Sequence, residues 1–347
     1  MTTGGTRKNT PVYMGDHDLA KILRHILSDP AKYALETDMY EESEDQRTLE
    51  KLAGDFEDYY LKLIREDDWK NKIAKEPLNK SDNLVTLLFS MMRDKIDGFA
   101  KDLNIAETIQ RNLIPEKVPV LDAYEFAAYY HPSHQVGGDY YDFYETEDDR
   151  LYFVLADVSG HGVPSSLVVA SMQAFIFGQI IEQKSLHAMI KNLNHYLVNN
   201  TVSGKFVTLF IGCLEIKSGM LSYINAGHNP PFLLRKDGTV EELKNGGPLL
   251  GMFDDVSFTS GAVELKDDDI LTVFTDGVTE AMNEEDDEFG EERFLEIVER
   301  DRRKPLLGIM LQLFKAIRLF CNGVPYGDDI TLLLMRKKPQ SSETGSS

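Results

Sequence analysis

The stretch LYFVLADVSGHG, residues 151–162, constrains the fold of this chain more than any other segment. Its first six residues are mostly apolar and predict a buried strand. The strand ends at Asp157, and two glycines follow within the next five residues. Pro164 then begins an apolar run that is typical of a helix, because proline is favoured in the first turn. A carboxylate is therefore expected at the tip of a core strand, in a turn that lets other groups approach closely.

Three other stretches share this layout of an apolar run, an aspartate and a tight turn. Asp139 follows two glycines in VGGDYYDF, Asp276 follows the apolar run ILTVFT, and Asp328 and Asp329 precede the last predicted strand. A single aspartate of this kind is best explained as a helix cap. Carboxylates that gather repel one another unless a cation compensates them. Oxygen ligands with neither Cys nor clustered His suit Mg²⁺ or Mn²⁺ rather than Zn²⁺, and two such ions about 4 Å apart can clamp a phosphoryl group.

Charge and cysteine content limit the classes of partner. The chain of 347 residues has 37 Lys and Arg against 58 Asp and Glu, a formal net charge of −21. This excess of acid repels nucleic acid and anionic lipid, so neither is expected as a partner. The two cysteines, Cys213 and Cys321, are far apart in apolar surroundings, which favours a reducing cytoplasm. With no uninterrupted run of 18 apolar residues and no apolar signal core at the N-terminus, no membrane span is expected.

The chain divides into four predicted segments. Residues 1–80 predict a small helical region without a chemical motif, and residues 81–114 predict one amphipathic linker helix interrupted by Gly98. Residues 115–336 predict a domain of short strands and helices, and residues 337–347 predict a disordered polar tail. Because the helical region is too small to bury its apolar faces alone, we expect a homodimer through residues 16–80.

Strands and helices alternate irregularly within residues 115–336. Strands come first, paired helices follow, and strands return, which indicates an α+β fold with antiparallel sheets rather than regular βαβ units. The predicted helices are Pro164–Ile181, Ser185–Asn199, Arg293–Arg300 and Leu306–Cys321.

Six motifs occur in the order found in one family. They are VGGDYYD, ADVSGHGVPSSL, NAGHNPP, GPLLG, TDGVTEA and GDDITLL. From about Ile105 to Met335 the chain resembles the SpoIIE/RsbU-type bacterial protein serine phosphatases, members of the type 2C superfamily of metal-dependent phosphatases. The resemblance implies an αββα sandwich of two antiparallel sheets flanked by helices, with two Mn²⁺ or Mg²⁺ ions in a cleft at one edge. Here the sandwich would be preceded by the small all-helical region and the linker helix.

The resemblance also implies roles for single residues. Asp157 matches the carboxylate that bridges the two metals, and Asp139, Asp157 and Asp276 would carry catalysis. Asp329 stands where eukaryotic members have Asn, and it is either a ligand itself or a residue that supports the ligands. The full implied ligand set is Asp139, Asp157, the Val158 carbonyl, Asp276 and Asp328, with Asp329 as the open case.

Two features depart from the eukaryotic pattern. The arginine that grips the substrate phosphate there has no identified counterpart upstream of Asp139, which resembles the bacterial branch. His161 lies at a different offset from Asp157 than the eukaryotic histidine does. It could act as general acid for the leaving serine oxygen, but a role in stabilising the turn is favoured. His228 and Asn229 are expected to fix a turn through side-chain hydrogen bonds.

The resemblance implies a cytoplasmic phosphoserine/phosphothreonine protein phosphatase. Its substrate would be a phosphorylated STAS-type anti-anti-sigma protein in a partner-switching pathway, hydrolysed without a covalent enzyme intermediate. Two alternatives stay open: a non-catalytic metal-binding signalling module, and a phosphohydrolase of a nucleotide or small phosphoester. The linker helix is hypothesised to have two packings, one of which orders the metal site through the strand bearing Asp139, with a passive tether as the alternative.

Overall fold

The computed structural model describes residues 83–202 and 204–339. The helices in these ranges are α1 (Asn83–Leu113), α2 (Val163–Ile181), α3 (Leu186–Asn200), α4 (Asp276–Thr279), α5 (Glu291–Asp301) and α6 (Leu306–Cys321). All except α4, which was not predicted, lie within two residues of their predicted bounds. Local signals explain the ends: the Ser185 side chain caps α3 by accepting a hydrogen bond from the Ala188 amide (3.3 Å), and α6 stops at Asn322 in a left-handed conformation.

Eight of the eleven strands in the described residues match apolar or alternating runs of the sequence. They are β1 (Tyr124–His131), β2 (Asp139–Thr146), β3 (Arg150–Val158), β4 (Val207–Glu215), β5 (Met220–Ala226), β6 (Phe232–Leu234), β7 (Val240–Glu242), β8 (Gly246–Gly247), β9 (Gly261–Glu264), β10 (Ile270–Phe274) and β11 (Ile330–Lys337). The sequence did not predict β7, β8 and β9, which have two to four residues each and carry no strong alternation.

The strands form two sheets. The first has the order β1-β11-β10-β6-β7, and the second has the order β2-β3-β4-β5-β8, with β9 also paired to β5. Every pairing is antiparallel except the two-residue contact of β5 with β8. The predicted α+β fold with two antiparallel sheets is therefore confirmed, with one short parallel contact added.

Three apolar clusters define four layers. The middle cluster lies between the two sheets and includes Phe126, Phe153 and Leu271. A second cluster joins α2 and α3 to the β2-β3-β4 sheet, and a third joins α5 and α6 to the β1-β11-β10 sheet. Each sheet thus buries one face against the other sheet and one face against helices, which is the αββα sandwich.

Helix α2 is unusually apolar. It has 19 residues, none of them charged, and by length and composition alone it could cross a membrane. The expectation of no membrane span stays a prediction. Six of its residues, among them Val169 and Met172, are buried and pack in the cluster beneath the β2-β3-β4 sheet. Packing inside the domain therefore explains part of its apolar composition, while Leu167 and Ile181 are more than 60% exposed.

Helix α1 was predicted as the linker. It is a single helix of 31 residues, and the chain divides at Gly98 and Phe99 into two compact units, so the second unit begins inside this helix. Phe99, Ile105 and Ile109 are each at least 50% exposed, whereas Ile114, one residue past the helix, belongs to the cluster between the sheets. The predicted helical region 1–80, its dimer and most of the polar tail lie outside the described residues.

Candidate active site

The first two predicted ligands face each other across a strand pair. Asp139 begins β2 and lies directly opposite Asp157 near the end of β3 in the antiparallel register. Side chains at opposite positions of such a pair point to the same face, with Cβ atoms about 5 Å apart. Asp157 is in turn opposite Thr208 of β4, so it is flanked by strands on both sides. The register alone brings the two carboxylates together at one edge of the second sheet.

Two threonines of the first sheet hold Asp139. Thr275, which follows β10, donates from Oγ1 to Asp139 Oδ2 (2.8 Å), and Thr331 of β11 donates to the same oxygen (2.5 Å). The two threonines also bond each other, because the Thr331 amide donates to Thr275 Oγ1 (3.0 Å). Asp139 is thus buried at the contact of the two sheets, and only its Oδ1 is left without one of these hydrogen bonds.

Asp329 uses both of its oxygens inside the protein. Its Oδ1 accepts from the Ser133 amide (2.7 Å) and the Ser133 hydroxyl (3.0 Å). Its Oδ2 accepts from the amides of Gly138 (2.5 Å) and Asp139 (3.3 Å). With 2% of its surface exposed, Asp329 is a buried carboxylate that ties the β1–β2 connection to the start of β11.

Asp328 and Asp276 are less buried than Asp139 and Asp329. Asp328 is exposed, and its Oδ1 accepts a local hydrogen bond from the Asp329 amide (2.8 Å). Asp276 is the first residue of α4, directly after β10 and Thr275. A carboxylate is favoured in the first turn of a helix, where it faces free N–H groups. Asp328 is therefore open to solvent, whereas Asp276 is partly buried at the start of α4.

The pKa shifts show that these carboxylates share one electrostatic environment. Burial, followed in order of size by the charges of Asp276, Asp328, Asp329 and Glu280, raises the pKa of Asp157 to about 7. Burial and the charge of Asp157 also raise the pKa of Asp139, against the two threonine hydrogen bonds. Burial and then Asp328 raise the pKa of Asp276. The predicted ligands are thus brought together, and they repel one another without a compensating charge.

The donor set fits hard divalent cations, although it is not a closed cage. Within residues 83–202 and 204–339, no three Asp, Glu, His or Cys side chains converge closely enough to hold an ion unaided. Mg²⁺ keeps several waters and is bound through only one or two carboxylates, so an open arrangement of oxygen donors suits it and Mn²⁺. In such a metal site, waters complete the coordination, so the carboxylates lie near one another without touching. The carboxylates here are arranged in this way.

The turn after β3 is fastened by Lys205. The Lys205 ammonium donates to the Ser159 carbonyl and to Ser165 Oγ (3.2 Å), and Ser165 Oγ donates to the Gly160 carbonyl (2.8 Å). The Phe206 amide donates to Ser159 Oγ (3.0 Å). These bonds fix the backbone directly after Val158, whose carbonyl is the predicted main-chain ligand. The sequence analysis missed Lys205, because nothing in its local sequence distinguishes it from a surface lysine.

The histidines take different positions. His161 is exposed, and its ring stacks on that of His134 with centroids 4.3 Å apart and planes within 2°. His228 is buried: its amide donates to Asn225 Oδ1 (2.8 Å), and its Nδ1 pairs with the hydroxyl of Thr208 (2.9 Å). A turn-fixing role for His228 agrees with these contacts, whereas the role of His161 stays a prediction.

Other residues at the site were not predicted either. Burial and the charge of Asp276 raise the pKa of Glu280, so this residue belongs to the acidic site. Its position four residues after Asp276, one turn of a helix later, was an available signal. Ser133, Thr275 and Thr331 had no such signal, because they act through partners far away in the chain.

Comparison with known proteins agrees with this architecture. The model of the family described as Stage II sporulation protein E (SpoIIE) matches residues 147–338, more than half of the 347 residues. Among curated proteins, the phosphoserine phosphatase RsbU of Bacillus subtilis is 27% identical over 241 residues, which are 68% of this chain and 70% of RsbU. Protein IcfG of Synechocystis is 29% identical over 238 residues, 61% of this chain. The chain spans only 37% of the length of IcfG.

A solved structure supports the fold. The SiaA-PP2C domain of Pseudomonas aeruginosa superposes with a TM-score of 0.62 at 22% identity, covering 69% of this chain and 97% of that domain. At this identity the likeness concerns the fold, which is that of a PP2C domain.

Proposed function

Because the chain belongs to the SpoIIE family, we propose that it is a metal-dependent phosphoserine/phosphothreonine protein phosphatase. The observation that carries this proposal is the gathering of Asp139, Asp157, Asp276 and Asp328 from three strand ends and the start of α4. Burial and neighbouring charges raise the pKa of Asp139, Asp157 and Asp276, and carboxylates crowded in this way are costly in a folded protein unless they bind cations. The name of RsbU as a phosphoserine phosphatase supports the same chemistry.

The contacts favour one division of roles among the acidic residues. Asp139, Asp157, Asp276, Asp328 and the Val158 carbonyl would hold two Mn²⁺ or Mg²⁺ ions. Asp329 would support them instead, because four hydrogen bonds already occupy both of its oxygens. When bound, such ions supply Lewis acidity and lower the pKa of water. The protein's own part is to keep Asp139 ionised and oriented through Thr275 and Thr331.

For the biological substrate, we propose a phosphorylated STAS-domain protein in a partner-switching pathway. The ordered motifs of the SpoIIE/RsbU type support this assignment. A cytoplasmic location fits Cys213 and Cys321, which are both free and buried. We further propose a homodimer formed through residues 16–80, since so few helices bury little apolar surface alone. Light scattering of the full chain at tens of micromolar tests the dimer, and a monomer at that concentration contradicts it.

The activity is tested by phosphate release from three substrates: a phosphoserine-bearing STAS protein, p-nitrophenyl phosphate and ATP. Each is measured with Mn²⁺, with Mg²⁺ and with EDTA. We expect metal-dependent release from the phosphoprotein and p-nitrophenyl phosphate, and little from ATP. Faster release from ATP than from the phosphoprotein would instead indicate a small-molecule phosphohydrolase. Metal binding without any turnover would indicate a non-catalytic signalling module.

A further inference from the structure

A buried glutamine connects helix α1 to the acidic site. Gln110 lies near the end of α1 and is only 5% exposed. Its Nε2 donates to the Gly137 carbonyl (2.7 Å), and its Oε1 accepts from the Gly137 amide (2.9 Å). The side chain thus satisfies both backbone groups of one residue 27 positions further along the chain. A buried amide with both ends paired in this way fixes its partner in position and orientation.

The residue held by Gln110 begins the turn that builds the site. The next residue, Gly138, donates its amide to Asp329 and accepts at its carbonyl from the Val158 amide (3.1 Å). Asp139 follows directly and starts β2. One short turn therefore touches the buried supporting carboxylate, the residue with the predicted carbonyl ligand and the first carboxylate ligand.

The turn is confined from its other side as well. A Cβ atom at Gly137 would collide with Tyr130 Oη and Asp329 Oδ2, and one at Gly138 would lie 2.7 Å from the Val158 carbonyl oxygen. The backbone here is packed against the site with no room for a side chain. Gln110 closes the remaining side, so a shift of its amide displaces the turn toward or away from these groups.

We propose that Gln110 is a positioning residue of the acidic site, and that divalent-cation binding depends on its two hydrogen bonds to Gly137. The inference rests on the proposed function, because it concerns the same metal site. It adds that a residue of α1, outside the three strand ends and the start of α4 that carry the carboxylates, sets the affinity of that site. Any displacement of this end of α1 would break both bonds at once and loosen the turn.

The test compares two buried amides of the full chain. Gln110→Met keeps the length and removes both hydrogen bonds. Asn194→Leu is the matched control, because Asn194 is also buried and makes the same kind of two-way clamp, to the Phe253 carbonyl (2.7 Å) and from the Gly251 amide (2.9 Å). Mn²⁺ affinity is measured by isothermal titration calorimetry. Amide hydrogen exchange at Gly138 and Asp139 is measured in EDTA, where no metal contributes.

We expect Gln110→Met to weaken Mn²⁺ binding at least tenfold and to accelerate exchange at Gly138 and Asp139 at least tenfold, while saturating Mn²⁺ restores most of kcat. Asn194→Leu should lower the melting temperature and leave both readouts near wild type. If Gln110→Met does not fold, Gln110→Asn replaces it, since the shorter amide cannot span both bonds.

Two results would overturn the inference. One is a folded Gln110 variant with wild-type Mn²⁺ affinity and wild-type exchange. The other is an Asn194→Leu protein that loses as much Mn²⁺ affinity, which would make the effect a general loss of stability. If the wild-type protein hydrolyses the phosphoprotein, neither of these two results affects the proposed function. Wild-type protein that binds no Mn²⁺ overturns the proposed function and this inference together.

Discussion

Replacing Asp157 with asparagine should change the stability of the metal-free protein and its phosphatase activity in opposite directions. Asp157 is flanked by β2 and β4 and lies within the field of Asp276 and Asp328. Its charge is a cost to the metal-free fold, and it is also a proposed metal ligand. Asp157→Asn should therefore raise the stability of the metal-free protein and abolish metal-dependent turnover.

The size of the stability gain follows from the pKa of Asp157, which rises from 3.8 to about 7. A shift of about three pKa units corresponds to roughly 4 kcal/mol of destabilisation once the group is ionised in both states. Since the carboxylate keeps some contact with solvent, we expect about half of this, roughly 2 kcal/mol. For a domain of this size, that is a rise in Tm of roughly 4–8 °C.

The sign of the pH dependence is fixed by the raised pKa in the folded state. Below the unfolded value of 3.8 the group is protonated in both states and costs nothing; above about 7 the full cost applies. The gain from Asp157→Asn should thus be largest at pH 8 and less than half as large at pH 5. Urea denaturation in EDTA at the two pH values measures it, with exposed Asp255→Asn as the control. An Asp157→Asn protein that is less stable at pH 8, or one with near wild-type turnover, would refute the reasoning.

Three further predictions concern other residues. Asp328→Asn should weaken Mn²⁺ binding in calorimetry with little loss of stability. Asp329→Asn should lower the free energy of unfolding by roughly 2–4 kcal/mol, because the new amide group would face N–H donors. If Asp328→Asn instead lost stability and Asp329→Asn lost Mn²⁺ affinity, the two roles would be exchanged. Burial lowers the pKa of His228 to about 4, so wild-type stability relative to His228→Asn should fall as pH drops from about 6.5 toward 4, and a pH-independent difference would contradict this. Gly98→Ala has nothing within 4 Å of the added Cβ and should stabilise α1 by about 1 kcal/mol. If α1 acts as a switch, it should also change the basal rate or the apparent Mn²⁺ affinity; no change in either supports the passive tether.

Much of the fold could be predicted because its elements carry strong local patterns. The helix Leu306–Cys321 has the predicted bounds, since it combines a clear apolar period with clear end signals. The aspartates at strand ends were also visible, because Gly-containing turns mark each one. Their convergence could not be derived from these patterns, and it depends on the register that places Asp139 opposite Asp157.

The support of the site could not be predicted, because it is made of contacts between distant residues. Asp329 is a buried anchor rather than an exposed carboxylate only because Ser133 and Gly138 reach it across 196 and 191 positions. Asp328, its neighbour in sequence, has the opposite environment, and no local pattern distinguishes the two. In the sequence, Gln110 is likewise one polar position of an amphipathic helix, and no local pattern indicates its hydrogen bonds to Gly137.

The central claim is that one cluster of strand-end carboxylates forms a single divalent-metal centre. Anomalous diffraction from crystals of the full chain grown with Mn²⁺ tests it most directly. We expect two anomalous peaks among Asp139, Asp157, Asp276 and Asp328, with Asp329 retaining its hydrogen bonds to Ser133 and Gly138. Peaks only at other acidic surfaces of the protein, or none at saturating Mn²⁺, would contradict the account.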